Sequence, residues 1–185
     1  MGEINIKLSF MPPTHIKLLE EEIIRLLKRY ADLMLETVKE TRTYEDVTGI
    51  LTASFTSLIL KYGDIIFQES VDENKQPDPV PPGKRSSGTV IYDLSERIDR
   101  TAALVSHRVD RGDFNLVIMT PIFYARDLEM DASAEGRVVM SGLIEEMNNF
   151  YLEEIKRDLE PIVGKYLKLA VEYNFEPRKF EGERR

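Results

Sequence analysis

Hydrophobic and polar residues change rhythm several times along the chain, and each change marks an element. From Glu3 to Phe10 the two kinds alternate, with Ile4, Ile6, Leu8 and Phe10 on one face, which is the period of a half-buried strand. Pro12-Pro13 stops it, and Thr14 is placed to cap a helix. From His15 to about Glu40, apolar residues such as Leu19, Ile23, Leu27, Tyr30 and Met34 recur at three- and four-residue steps. That spacing predicts a helix on the order of 40 Å long. Glu20, Glu21 and Glu22 in its early turns suit the helix dipole and read as a solvated face.

Two β-rich runs follow, Ser54 to Tyr62 and Ile65 to Val71, and Gly63-Asp64 between them reads as the turn of a hairpin. Asp72 to Thr89 holds four of the nine prolines and no apolar period, so it is expected to be a long exposed loop that cannot order itself. Helical spacing returns from Val90 to about Val105, through Ile91, Leu94, Ile98 and Ala102. Phe114 to Met119 is an apolar run of strand length. A last helix is predicted from about Ser141 to Tyr173, with Pro161 expected to kink or break it near Asp158. This order predicts an α+β fold in which long helices pack on one face of a small, mainly antiparallel sheet. It would form a single domain over residues 1–175, with 1–13 as an N-terminal arm or strand and 72–89 as an exposed Pro-rich loop. Residues 176–185 would be a flexible charged tail.

Composition narrows the chemistry. The 185 residues include 25 Lys and Arg against 33 Asp and Glu, a formal charge of −8, which disfavours broad binding to a phosphate backbone. With no Cys there is no disulfide, no thiolate zinc site and no Cys nucleophile, and His15 and His107 are the only imidazoles. The start of the chain has no basic segment followed by an apolar one, and no apolar run is long enough to span a bilayer, so no signal peptide and no membrane partner are expected.

Several candidate sites fail on their own geometry. Gly83-Lys84-Arg85-Ser86 lacks the first glycine of a phosphate loop, since Asp78 stands there. Asp72 to Gly83 begins like a calcium loop but has Pro77 in place of the central Gly and Gly83 in place of the bidentate Glu. His107 near Asp110 and Asp113 could be drawn as a base with its orienting carboxylate, but no Ser lies in a nucleophile-elbow context, and a capping or surface role is the simpler reading. Arg111-Gly112-Asp113 spells an adhesion tripeptide and reads as a turn. No catalytic residue, cofactor or metal site is expected.

The most informative combination is a long helix, then Asp46-x-Thr48-Gly49-x-Leu51-x-x-Ser54, then a hairpin. Much later come Tyr124-Ala125-Arg126-Asp127-Leu128-Glu129 and a Gly136-led, Val-rich step into the last helix. This order resembles the tail-completion, or head–tail joining, proteins of long-tailed bacteriophages, over roughly residues 14 to 160. Leu128 stands where that family usually has Val. The residues themselves read as structural. Thr48-Gly49 gives a tight turn from helix to strand, with Gly free to take positive φ. Tyr124 and Ala125 follow a buried strand, where a large and then a small side chain can dock the sheet edge.

The resemblance implies a non-enzymatic virion protein of the neck or tail. It would be a homo-oligomeric ring between the head connector and the tail tube or tail terminator, assembled in the host cytoplasm. DNA would pass through without specific binding, which a negative lumen would favour. The exposed segments, Pro77, Pro79, Pro81, Pro82, Lys84 and Arg85 in the loop and Ile4, Ile6 and Leu8 in the first strand, are the expected contacts between subunits or rings. The alternatives are a cytoplasmic helical adaptor or regulator, and a small hydrolase using carboxylates.

Overall fold

The computed structural model describes residues 3–7, 13–41, 46, 48–80, 82–83, 93–109, 111–122, 151–164 and 170–173. In chain order these form β1 (Glu3–Lys7), α1 (Pro13–Thr41), α2 (Ile50–Ala53), β2 (Thr56–Lys61), β3 (Asp64–Ser70), α3 (Leu94–Ser106), β4 (Phe114–Met119), α4 (Leu152–Val163) and β5 (Ala170–Tyr173). The fold is α+β. The five strands make one antiparallel sheet in the order β3-β2-β4-β1-β5.

β2 and β4 sit side by side with almost every residue buried, so both faces of the sheet are covered. Side chains alternate between faces along a strand. Lys61 reaches Glu20 of α1 at 2.8 Å, and Lys28 of α1 lies 4.6 Å over the Phe67 ring, which places α1 above the face carrying Ile59, Lys61 and Phe67. Gln68, on the opposite face, donates to Asp99 of α3 at 2.7 Å. The helices therefore flank the sheet on both sides, not on one. The physical reason is legible in β4, apolar but for Asn115, and in Leu58–Leu60 of β2, which put apolar side chains on both faces. The core is one cluster, centred on Tyr30, Phe55, Phe114, Leu58, Ile59 and Leu60.

Other expectations are adjusted. α1 already begins at Pro13, a favoured first helical residue, so Thr14 lies inside the first turn and not at its cap. The hairpin turn is Tyr62-Gly63, one residue earlier than expected, and both residues have positive φ, 54° and 92°. Such paired positive φ values match the twist of the flanking strands. A register shift between Ile59 and Leu60 leaves Ile66 as the extra residue of a bulge on β3. α3 starts at Leu94, because the Asp93 side chain accepts from the Glu96 N–H and caps it there.

The last helix does not reach Tyr173. α4 runs through Asp158 and Pro161 without a break and ends at Val163, where the Gly164 N–H reaches the Glu160 carbonyl. Ala170–Tyr173 is a strand, paired with β1. β1 itself is internal, with β4 on one side and β5 on the other, so Ile4 and Ile6 do not belong to a free arm. The predicted helical stretch from Ser141 to Phe150 lies outside the described residues, as do the predicted start of α3 at Val90 and the tail from Glu176.

Candidate functional site

The first motif folds into a single hydrogen-bonded node. Gly49 has φ 72°, the left-handed conformation that only glycine takes readily, and it turns the chain into the short helix α2. Having no side chain, Gly49 cannot cap α2. The Asp46 carboxylate does so from three residues upstream, accepting the Thr52 N–H at 2.6 Å. Leu51 is fully buried under the turn, and Ser54 is sealed at the helix end.

Ser54 ties the node to the neighbouring strand. Its Oγ donates to the Leu51 carbonyl at 2.7 Å and lies 2.7 Å from Thr120 Oγ1. A hydroxyl carries one proton, so with that proton on Leu51 the Thr120 hydroxyl must donate to Ser54. Thr120 Oγ1 in turn accepts the Ile122 N–H at 3.2 Å. The relay thus runs from Ile122 through Thr120 and Ser54 to Leu51. It joins the first motif to Thr120–Ile122, the segment that follows β4 and ends two residues before the second motif begins.

The Pro-rich loop returns to the same node. The Asp72 N–H donates to the Ala53 carbonyl at 3.1 Å and the Asp78 N–H to the Thr48 carbonyl at 3.0 Å. Lys75 pairs with Asp78 at 2.7 Å directly over the turn, and a Cβ on Gly49 would stand 2.9 Å from Lys75 Cε. Gly49 is needed twice, for its backbone conformation and for this close approach. The first half of the loop is therefore strapped to the body, against the expectation that it could not order itself. What overrides composition is backbone hydrogen bonding to the α2 turn. Asp72 Oδ1 accepts the Asn74 N–H at 3.1 Å, and Lys75 stands among the would-be calcium ligands. Pro77 is half-buried, whereas Pro79, Val80 and Pro82 are exposed.

Two further clusters were not foreseen. At the hairpin tip Tyr62, with its N–H on the Gly112 carbonyl at 3.2 Å, lies beside Lys61, whose ammonium is 5.6 Å from the ring. Partial burial and the Asp113 carboxylate push its hydroxyl above the ordinary tyrosine range. Glu20, expected on a solvated face, is half-buried in its pair with Lys61. The Arg111-Gly112-Asp113 turn serves as the bed of this tip. Along the α1–α4 seam, Tyr30 donates to Asp158 at 2.9 Å and Thr37 meets the Tyr151 hydroxyl at 2.6 Å. The Tyr30 and Tyr151 rings sit edge to face at 6.1 Å.

His107 is exposed at the C-cap of α3. Among the described residues no group of three or more His, Asp or Glu could hold a metal ion, and no helix is long and apolar enough to cross a membrane. Tyr124, Ala125, Glu129, Gly136, Pro81, Lys84, Arg85 and Leu8 lie outside the described residues. Comparison of the chain with protein-family models, with curated proteins and with solved structures finds no match in any of the three.

Proposed function

We propose that this protein is a non-enzymatic assembly subunit, a tail-completion or neck protein that joins a phage head connector to its tail as a homo-oligomeric ring. The observation that carries the reading is the Asp46–Ser54 node. Every residue of the motif that resembles the phage family has a structural role there. Asp46 caps, Thr48 receives the strap, Gly49 turns, Leu51 fills the core and Ser54 links to Thr120. A motif devoted to positioning a turn between a long helix and a sheet suits a part that works by shape and contact. Its partners would be further copies of itself and the neighbouring connector and tail-tube or tail-terminator proteins. The formal charge of −8 would let DNA pass without adhesion.

Light scattering and negative-stain microscopy of the purified chain test this reading. Closed rings of one defined mass are the expected result. A monodisperse monomer at all accessible concentrations, with or without connector protein, would overturn it.

A further inference from the structure

We propose that the segment from Pro79 to Pro82 is a polyproline ligand that the body of the protein presents to an aromatic-lined groove on another protein. Pro77-Asp78-Pro79-Val80-Pro81-Pro82 has four prolines in six residues. Each proline fixes its own φ near −65°, and the residue before a proline is driven to extended or polyproline backbone. Gln76, Asp78, Val80 and Pro81 all precede a proline, so the sequence favours a left-handed polyproline helix over this stretch. That helix has three residues per turn, which sets Pro79 and Pro82 on one edge.

The root of the segment is fixed and its tip is free. Asp78 is held by its N–H on the Thr48 carbonyl at 3.0 Å and by Lys75 at 2.7 Å, and the next residues leave the body. Pro79, Val80 and Pro82 are exposed, Val80 at 39%. At Gly83, φ 83°, nothing lies within 4 Å of where a Cβ would stand, so the chain turns in open space. Prolines have no N–H to offer a sheet edge, so strand addition is a poor use of this segment. Rings on a preformed extended helix instead fit between aromatic side chains with little ordering cost. Lys84 and Arg85 follow directly in the sequence, so the matching groove would carry carboxylates beside its aromatics.

This inference deepens the assembly reading by naming the chemistry of one partner surface, and it is tested apart from ring formation. The probe is an isotope-labelled SH3 domain of the class that reads Pro-x-x-Pro followed by a basic residue, titrated with the full chain. Saturable shifts confined to the aromatic groove are expected, and a Pro79→Ala/Pro82→Ala double variant should weaken binding at least about tenfold. No groove shifts, or binding undiminished in that double variant, would overturn the proposal. Light scattering on the same samples separates the two ideas. Rings without groove binding would sink the ligand and leave the assembly reading standing, and groove binding by a monomer would do the reverse.

Discussion

The Tyr30 hydroxyl donates to Asp158 at 2.9 Å across 128 positions of sequence, and so clips the last described helix to the first. Tyr30 is fully buried, and Arg29 approaches the same carboxylate at 3.6 Å. Burial, and then the bond to Asp158, push the hydroxyl well above the ordinary tyrosine range, while the same bond holds Asp158 below the ordinary carboxylate range. Both directions favour the pair as it stands at neutral pH.

Tyr30→Phe keeps the ring and its contact with Tyr151 but removes the clip. It should destabilise the fold by about 1 kcal/mol, read from denaturant midpoints at unchanged slope. The Tyr30 hydroxyl should ionise only well above the ordinary tyrosine range. A raised pKa means its contribution is intact below about pH 10 and fades above it. Near-ultraviolet absorbance should lose one strongly alkaline transition in the variant.

Two carboxylates act in opposite senses at acid pH. Asp158, lowered chiefly by the bond from Tyr30, contributes stability above about pH 3.9 that is lost as pH falls through its folded value. Glu69 is raised by burial and by the neighbouring Asp32, so its contribution is full below about pH 4.3 and is lost as pH rises. Glu69→Gln should therefore raise Tm at neutral pH, with the gain vanishing in acid. A gain that is the same at every pH would show that charge is not its cause.

Gly49→Ala places a Cβ in a left-handed backbone and against Lys75. A cost of about 1–2 kcal/mol follows from the backbone alone. Since the displaced atom is the end of a flexible side chain, the local effect should be a loosened strap. Hydrogen exchange at the Asp78 amide should accelerate more than at amides of β2.

Tyr62→Asn should raise stability by about 0.5 kcal/mol net, because Asn accepts φ 54° more readily than an aromatic residue does and so relieves about 1 kcal/mol of backbone cost. The opposing loss is the exposed contact with Lys61, worth about 0.5 kcal/mol or slightly more. A fall in Tm would mean that the bonds to Lys61 and Asp113 outweigh the turn.

Where side-chain period and burial agree, the chain announces its structure. β4 falls on Phe114–Met119 as its apolar run predicts, and α1 follows its stripe to within two residues at each end. Errors arise where a distant partner decides. Leu169 and Tyr173 continue a helical spacing, yet Ala170–Tyr173 is a strand because β1 offers it a ladder, and four residues are too few for a period to tell the two apart. The hairpin is displaced by one residue because an aromatic residue takes a positive φ usually left to Asn or Gly. At the candidate site the Thr48-Gly49 turn is evident from residue type. The cap from Asp46, the relay through Thr120 and the strap from Asp78 are not, since each is a contact between segments that no local pattern encodes.

The position of β1 has a consequence for how the protein is made. Its two neighbours in the sheet are β4 and β5, and β5 begins at Ala170. At ordinary rates of synthesis the first strand waits on the order of 10 s on the ribosome before its second ladder can form. During that wait the alternating apolar segment Glu3–Lys7 has no finished sheet to receive it. A bulky group fused directly ahead of Glu3 would sit at this late closure, so slower maturation and more aggregation are expected of such a fusion.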